Sequence, residues 1–346
     1  MAELSQGNAP MYPDLLYRAF YFGLDYGELT SAGGAGTLQD LQLFRARCSH
    51  LAGQWRERAV SFEIERRGAM RAVAQFRAAR YAHFAALKVP GDFAALSARI
   101  EQDSCNYICE VLPAQWHCLV EPVASDLYRG YLLKQSGAKG VVWVIGGLDS
   151  RKEIELLGMA RVFLADGFDV LLLDMPGQGT QLGLTTLANA YDAASLLVLD
   201  ELASRRAYQK IVLCGLSLGG FLALRSAQDA RVAACVSFGG FYDGKISRHL
   251  PPQIKAHLTL ALNGDYADDG SFEWLSLESL PPKVPCLQVH GENDALVDSE
   301  QIKALCRWHP HLQLMRVAGA EHVCTSRFAW LLPEVLHWIK LQAEVR

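Results

Sequence analysis

Short apolar segments alternate with helical segments over the C-terminal part of the chain. The runs GVVWVIGG, DVLLLDM, KIVLCG, AACVSFGG and PCLQVHG are compact and apolar. Strands of a parallel sheet have this composition because helices cover both faces of the sheet. Before these runs, WHCLV and LYRGYLLK predict a β-hairpin. The pattern over residues 113–346 therefore predicts an α/β domain with a mostly parallel sheet.

Residues 1–112 show no strand alternation and predict an all-helical domain. Apolar residues recur at steps of three and four over a predicted helix at 38–59, and a third helix is predicted at 61–87. On a helical wheel of this third helix, Arg80 falls in the middle of an apolar face. Arg80 is either a snorkelling or ion-paired arginine, or a substrate-binding residue that faces an anionic or carbonyl-bearing substrate.

One predicted junction between a strand and a helix carries a candidate nucleophile. The run IVLC ends in GLSLG, and FLALRSAQ follows, so Ser217 lies between a strand and a helix. In this context a Gly-x-Ser-x-Gly sequence forms a nucleophile elbow rather than an ordinary turn. Gly215 and Gly219 lack the Cβ atoms that would collide with the strand and helix on either side. We therefore expect the Ser217 hydroxyl to stand at the edge of the sheet, beside a helix N-terminus.

A serine nucleophile needs a histidine base and a carboxylate that orients the histidine. HGEND places Asp294 just past a predicted strand, and GAEHV places His322 after the last one. The order serine, acid, histidine is that of α/β-hydrolases. Asp243, after the strand that follows Ser217, is the alternative acid, but the glycine turn before Asp294 favours Asp294. Asp243 is then either a substrate-binding residue or a surface turn residue.

An oxyanion hole requires the N–H of Leu218, directly after the nucleophile, and a second N–H from the loop after VVWVI. Two glycines in that loop let the backbone approach the substrate, so Gly147 is a substrate-binding candidate and Leu148 the second donor. Ser150 and Glu153 have the spacing of a capping box, which predicts a structural role for Glu153.

Composition and charge limit the classes of partner and cofactor that the protein is expected to bind. The chain has 346 residues, a net charge of −4 and no block of like charges, so we expect neither nucleic acid nor an anionic membrane as a partner. The nine cysteines form no CxxC pair, and no phosphate loop, dinucleotide fingerprint or metal-spaced ligand set is present, which predicts no cofactor and no metal. The odd number of cysteines, several of them within apolar strand-like runs, fits a reducing compartment, and the N-terminal stretch lacks the pattern of a secretory signal, so a cytoplasmic location is predicted.

Several motifs together resemble a known group of enzymes. GGLDSRKE, DMPGQG, GLSLGG, HGENDALV and GAEHV resemble the α/β-hydrolases related to 2,6-dihydroxypseudooxynicotine hydrolase, the FrsA-like esterases and the fungal polyketide-shortening hydrolases. FGLDYGEL and RRGAMRAVAQFRAARYAHFA are similar to the N-terminal helical domain of that group, so the resemblance covers nearly the whole chain. It implies an α/β-hydrolase fold, an N-terminal helical cap domain over residues 1–112 and a homodimer. From the sequence pattern, residues 243–285 are expected to extend over the C-terminal edge of the sheet, where ligands bind.

The resemblance also implies a function. It makes Ser217 the nucleophile, Asp294 the acid and His322 the base, and Asp243 the nearest candidate for an extra acidic pocket residue. The expected activity is that of a serine hydrolase that cleaves a C–C bond next to a carbonyl, or an ester or thioester, in an aromatic or polyketide-like small molecule. Two alternatives stay open: a general carboxylesterase or acyltransferase, and a non-catalytic protein that binds a small molecule.

Overall fold

The structure, a computed structural model, describes residues 13–31, 34–87, 93–262, 272 and 274–344. The described residues divide into two compact units: 13–31, 34–87 and 99–111 form the first, and 93–98, 112–262, 272 and 274–344 form the second. Residues 93–98 thus group with the second unit, and the helical cap domain predicted over 1–112 stays a prediction.

The helices and strands of the described residues follow in chain order. The α-helices are α1 (Pro13–Tyr21), α2 (Tyr26–Thr30), α3 (Leu41–Ile64), α4 (Gly68–Ala86), α5 (Phe93–Asn106), α6 (Leu112–Trp116), α7 (Leu157–Ala165), α8 (Leu187–Asp200), α9 (Leu218–Ser226), α10 (Pro252–Leu262), α11 (Ser299–Trp308) and α12 (Phe328–Glu344). The strands are β1 (Leu119–Ala124), β2 (Arg129–Lys134), β3 (Val141–Ile145), β4 (Asp169–Asp174), β5 (Ile211–Leu216), β6 (Val232–Phe238), β7 (Cys286–Gly291) and β8 (Gln313–Val317).

The strands form one sheet in the order β1-β2-β4-β3-β5-β6-β7-β8. β1 pairs antiparallel with β2, and β2 antiparallel with β4, while every other pair is parallel. All residues of β3, β4, β5 and β6 are buried, which explains why these strands are apolar throughout instead of alternating. The mostly parallel sheet and the leading hairpin that the sequence predicts are confirmed. Because the central strands β4, β3, β5 and β6 run parallel, their C-terminal ends lie at the same edge of the sheet.

The first unit is helical, as predicted, but the predicted boundary between the helices that correspond to α3 and α4 is wrong. The sequence predicts a break near residue 60, whereas α3 continues to Ile64 and α4 begins at Gly68. The chain turns between them at Arg66, which has a φ of 55°. Because the break falls in a charged run, ERRG, no apolar periodicity marks it. The helical wheel of the predicted helix at 61–87 therefore mixed side chains of two helices, the end of α3 and the whole of α4.

Three buried charges join the segment after β3 to the end of β4. The Lys152 side chain is 0% exposed, and its Nζ lies 2.5 Å from Glu153 Oε1 and 2.7 Å from Asp174 Oδ2. Asp174 also accepts hydrogen bonds from the backbone N–H and the hydroxyl of Thr180, both at 2.9 Å. Burial raises the pKa of Glu153, Lys152 opposes this shift and Asp174 adds to it. One ammonium group thus holds two buried carboxylates together.

Within the part of the chain that the structure describes, no helix is both long and apolar enough to cross a membrane.

Replacing Lys152 tests whether this ion cluster stabilises the second unit. In Lys152→Met, Glu153 and Asp174 stay buried without their cation, so we expect the free energy of unfolding to fall by about 3–5 kcal/mol. Urea denaturation followed by circular dichroism measures the loss. Lys303→Met is the matched control, since Lys303 pairs with Glu300 at the surface, and it should cost less than about 1 kcal/mol. Equal losses for the two variants would contradict the stabilising role.

Candidate active site

Ser217 lies at a sharp turn between the central strand β5 and helix α9. Its φ is 56° and its ψ is −119°, a left-handed backbone that is strained for a residue with a side chain. The turn is held from both sides, because the Ser217 N–H donates to Phe238 O at 2.7 Å and the Ser217 carbonyl accepts from Gly220 N at 2.8 Å. A strained serine between a strand and a helix is the geometry of a nucleophile elbow.

The two glycines that flank Ser217 are required by close backbone contacts. A Cβ atom on Gly215 would lie 1.9 Å from the carbonyl oxygen of Gly219. A Cβ atom on Gly219 would lie 2.1 Å from the carbonyl oxygen of Ile145, at the end of β3. The steric argument made from the sequence for Gly215 and Gly219 is confirmed.

The structure brings Ser217, His322 and Asp294 together. His322 Nε2 lies 2.8 Å from Ser217 Oγ, and His322 Nδ1 lies 2.8 Å from Asp294 Oδ2. Asp294 follows β7 and His322 follows β8, so parallel strands deliver both side chains to the edge that carries the serine. The three side chains form one hydrogen-bonded chain from a buried carboxylate to a hydroxyl.

The Asp294 carboxylate is held as an anion in a buried position. Its side chain is 0% exposed, and Oδ1 accepts hydrogen bonds from the N–H groups of Leu296 and Val297 at 2.8 and 2.9 Å. Burial alone would raise the pKa of Asp294, but His322 and these two N–H groups outweigh burial and lower it. The nearby His290 lies at 3.9 Å from Asp294 Oδ2, too far for a hydrogen bond, and burial lowers the pKa of its imidazole.

The loop that carries His322 has an unusual backbone. Val323 and Cys324 have φ values of 69° and 62°, which are rare for residues with side chains. Gly239, with a φ of 62°, packs against the imidazole, and a Cβ atom there would lie 3.0 Å from His322 Cε1. No turn residue in HVC predicts this backbone, so sequence reasoning missed it.

The candidate oxyanion loop follows β3 and contacts the serine directly. A Cβ atom on Gly147 would lie 3.1 Å from Leu216 O and 3.4 Å from Ser217 Cβ, so the loop passes close to the nucleophile. Leu148 is half-buried and packs against the core. Leu218 is the first residue of α9, where an N–H has no carbonyl one turn earlier to bond.

Buried polar side chains that the sequence did not single out hold this loop. Gln178 Nε2 donates to the carbonyl of Gly146 at 2.7 Å. The Gly147 N–H donates to Ser150 Oγ at 3.2 Å, and Ser150 Oγ donates to Glu155 Oε2 at 2.8 Å. Gln178 lies in the DMPGQG motif, one of the motifs that carry the family resemblance, and its position there was the one signal in the sequence that could have pointed to it.

The capping box predicted from Ser150 and Glu153 does not form, because the N-cap of the helical segment is Arg151 and no side chain caps it. Ser150 bonds Glu155 instead of Glu153, which pairs with Lys152. The segment Lys152–Leu156 is a π-helix, whose wider turn displaces side chains from α-helical spacing. A capping box assumes α-helical spacing, so this pattern could not indicate the hydrogen bond between Ser150 and Glu155. The structural role predicted for Glu153 agrees with its buried ion pair.

Asp243 is not among the contacts of Ser217, His322 and Asp294 that the structure describes. Its Oδ1 accepts from Gln301 Nε2 at 2.8 Å and from the Lys245 N–H at 3.0 Å, and its Oδ2 lies 3.4 Å from Lys245 Nζ. These contacts anchor a turn against α11, and a role for Asp243 in substrate binding stays a prediction. Part of the predicted excursion, residues 263–271 and 273, lies outside the described residues.

Arg80 lies inside the helical unit and stacks on an aromatic ring. Its Cζ is 4.3 Å from the centre of the Phe76 ring, and Tyr107 stacks on the same ring at 4.2 Å. Gly23 leaves room for the guanidinium, because a Cβ atom there would lie 2.8 Å from Arg80 Nη1. Burial lowers the pKa of Arg80. A substrate-binding role stays a prediction.

Comparison with known proteins identifies the family. Residues 136–333, more than half of the chain, match the alpha/beta hydrolase family. The chain therefore belongs to this family, and its predicted fold class is confirmed.

Particular relatives agree with the resemblance seen in the motifs. The chain is 38% identical over 110 residues to 2,6-dihydropseudooxynicotine hydrolase of Paenarthrobacter nicotinovorans, a match that covers 31% of this chain and 30% of that protein. It is 33% identical over 144 residues to 20-hydroxy-prefusarin hydrolase FUS2 of Gibberella moniliformis, covering 39% of this chain and 34% of that protein. The chain thus matches about a third of the length of each relative.

Solved structures extend the similarity of fold to nearly the whole chain. The crystal structure of 2,6-dihydroxy-pseudo-oxynicotine hydrolase superposes with a TM-score of 0.78 at 22% identity, covering 94% of each chain. AbyA5 superposes with a TM-score of 0.65 at 18% identity, covering 96% of this chain and 95% of the other. At these identities the superpositions establish the fold.

Removing the Gln178 amide should loosen the loop that approaches Ser217. In Gln178→Met the Gly146 carbonyl loses its buried donor, and we expect a serine-directed fluorophosphonate probe to react about 10- to 100-fold more slowly, less than for loss of an oxyanion donor itself. The labelling rate constant is the measurement. Gln209→Met is the control, because Gln209 is exposed and bonds only a local carbonyl among the described residues. A Gln178→Met protein that labels at the original rate would show that the loop needs no such support.

Proposed function

We propose that the protein is a serine hydrolase in which Ser217 is the nucleophile, His322 the general base and Asp294 the acid that orients His322. The observation that carries this proposal is the pair of 2.8 Å contacts that link the Ser217 hydroxyl through His322 to the buried Asp294 carboxylate. The strained φ of Ser217 supports it as well, because strain of this kind concentrates at functional sites.

The proposed reaction begins with attack of Ser217 Oγ on a carbonyl carbon while His322 Nε2 takes the hydroxyl proton. Asp294 accepts from Nδ1–H, which fixes the tautomer and stabilises the imidazolium. The N–H groups of Leu218 and Leu148 stabilise the oxyanion, and the N-terminus of α9 adds its partial positive charge. Gly147 gives the substrate room to approach these donors.

His322 then gives its proton to the leaving group as the bond next to the carbonyl breaks. An acyl group stays on Ser217 until His322 takes a proton from water and the resulting hydroxide attacks the acyl carbon. This attack releases a carboxylic acid and returns the proton to Ser217. The same steps cleave an ester, a thioester or a C–C bond, and the three differ only in the leaving atom that must accept the proton.

We propose that the bond is a C–C bond next to a carbonyl, in an aromatic or polyketide-like small molecule. The support is the similarity to 2,6-dihydropseudooxynicotine hydrolase and to the fungal hydrolases. Such cleavage expels a carbanion, which is tolerable only when the leaving carbon is stabilised as an enol. Asp243 is retained as a candidate to orient the enolising group. The predicted helical cap domain and the homodimer stay predictions.

A general carboxylesterase or acyltransferase is the second candidate. The site favours it in one respect: the proposed nucleophile, base and oxyanion donors are complete for ester hydrolysis without any further residue. A non-catalytic small-molecule binder is disfavoured, because binding alone needs neither a strained serine nor a buried Asp294–His322 pair.

The proposed triad predicts a specific pattern of losses. Ser217→Ala, His322→Ala and Asp294→Asn should each lower kcat by about 10³-fold or more, and the double variant of Ser217 and His322 should be no worse than either single variant. Hydrolysis of a chromogenic ester measures kcat, and circular dichroism checks folding. Asp243→Asn is the matched control and should keep its ester hydrolysis. Near-full activity in Asp294→Asn together with its loss in Asp243→Asn would reverse the assignment of the acid.

The leaving group separates the two candidate activities. Substrates with a second carbonyl or a hydroxyaryl group beside the cleaved bond should exceed p-nitrophenyl esters in kcat/KM, because they stabilise the departing carbon. Asp243→Asn should reduce ketone cleavage more than ester hydrolysis if Asp243 orients the enolising group. Rapid turnover of plain esters without cleavage of β-diketones would support the carboxylesterase instead.

A further inference from the structure

Two buried polar side chains near the candidate oxyanion loop lack hydrogen-bond partners among the described residues. Arg151 is 3% exposed, and its Nε and Nη1 are buried without an acceptor. His257 is 6% exposed, and its Nε2 is buried without a partner. Most buried polar groups in proteins are paired, because leaving one unpaired costs free energy. Two unpaired groups that influence each other electrostatically indicate a place where a ligand supplies the missing contacts.

Arg151 belongs to the same loop as the proposed oxyanion donor. It is three residues beyond Leu148, so the two Cα atoms are at most about 11 Å apart. The turn in which Ser150 N–H donates to Gly147 O at 3.3 Å shortens that path. A substrate held at Leu148 therefore needs to extend only a short way for another of its polar groups to reach the Arg151 guanidinium.

His257 is arranged to act as a neutral partner. It lies on α10, and its ring stacks on Phe93 with centroids 4.4 Å apart and planes 10° from parallel. The pKa of His257 is lowered to about 4, chiefly by burial; Asp149 opposes the shift and Arg151 contributes to it. The ring is therefore uncharged near neutral pH, and one of its two nitrogens is a hydrogen-bond acceptor.

We propose that Arg151 and His257 form a subsite for an acidic hydroxyl group, a phenol or an enol, on the substrate. The inference rests on the proposed function, because it places this hydroxyl on the molecule that Ser217 attacks. One hydroxyl group would supply the missing hydrogen bond of each side chain: its oxygen accepts from an Arg151 N–H, and its proton is donated to His257 Nε2. A carboxylate suits the subsite less well, since it has no proton for His257 and meets the negative charge of Asp149.

The test measures binding separately from turnover, in the full-length Ser217→Ala protein. Calorimetry compares a hydroxyphenyl β-diketone with its methyl ether, which keeps the shape and loses the proton. We expect the phenol to bind about 10-fold more tightly, the discrimination of roughly one well-placed hydrogen bond, here from the phenol proton to His257 Nε2. His257→Phe, added to this protein, should abolish the preference and leave the affinity for the methyl ether unchanged. Arg151→Met should weaken the binding of both ligands about 10-fold, because the oxygen of each accepts from the guanidinium.

Arg205→Met is the matched control, because Arg205 is 73% exposed in a surface ion pair, and it should change neither affinity. Thermal denaturation adds a second readout: removal of an unpaired guanidinium should leave the Tm of Arg151→Met unchanged or higher. A fall of several degrees, with the affinities for the phenol and the methyl ether both unchanged, would show that Arg151 is paired inside the protein and would overturn the subsite.

The proposed subsite would also be overturned if the phenol and the methyl ether bound equally well. Tighter binding of a ligand that carries a carboxylate in place of the phenol hydroxyl would overturn it as well. These results are distinguishable from failure of the proposed function, which shows as unimpaired ester hydrolysis in the Ser217→Ala protein.

Discussion

The close approach of three backbone segments at Ser217 is the constraint on which the site depends. Gly215 and Gly219 approach each other at the turn, and Gly219 also lies against the end of β3, at distances that leave no space for a Cβ atom. This packing forces Ser217 into its left-handed conformation and presents the hydroxyl at the sheet edge. The same contact brings the loop after β3 against the nucleophile, so one steric constraint positions both the hydroxyl and the oxyanion loop.

Buried charges are the second feature on which the site depends. Asp294 stays ionised because His322 and two backbone N–H groups outweigh its desolvation, and Lys152 forms ion pairs with two carboxylates beside the oxyanion loop. Fixed charges and dipoles in a low-dielectric environment interact strongly with charge that develops in a reaction, and they need little reorganisation. The Gln178, Ser150 and Glu155 contacts extend this arrangement by holding the loop from behind.

Much of the fold and of the site was predictable because both depend on local pattern. Buried parallel strands are continuous apolar runs, so the central strands were recognised. Parallel strands end at one edge, and Asp294 and His322 were expected beside Ser217 because each follows a strand. The break at Arg66 was missed because charged residues carry no periodicity, and Glu155 was missed because a π-helix replaces the α-helical spacing that a capping box assumes.

By itself, therefore, the sequence determined the class of fold, the order of the strands along the chain and the three side chains most able to form a nucleophilic site. These follow from periodicity and from residue type, which act over a few neighbouring positions. Only the tertiary structure decided which groups are left without partners, such as Arg151 and His257, and which carboxylate each buried donor reaches. Those outcomes depend on segments far apart in the chain, because burial and hydrogen-bond distance are set by packing in three dimensions.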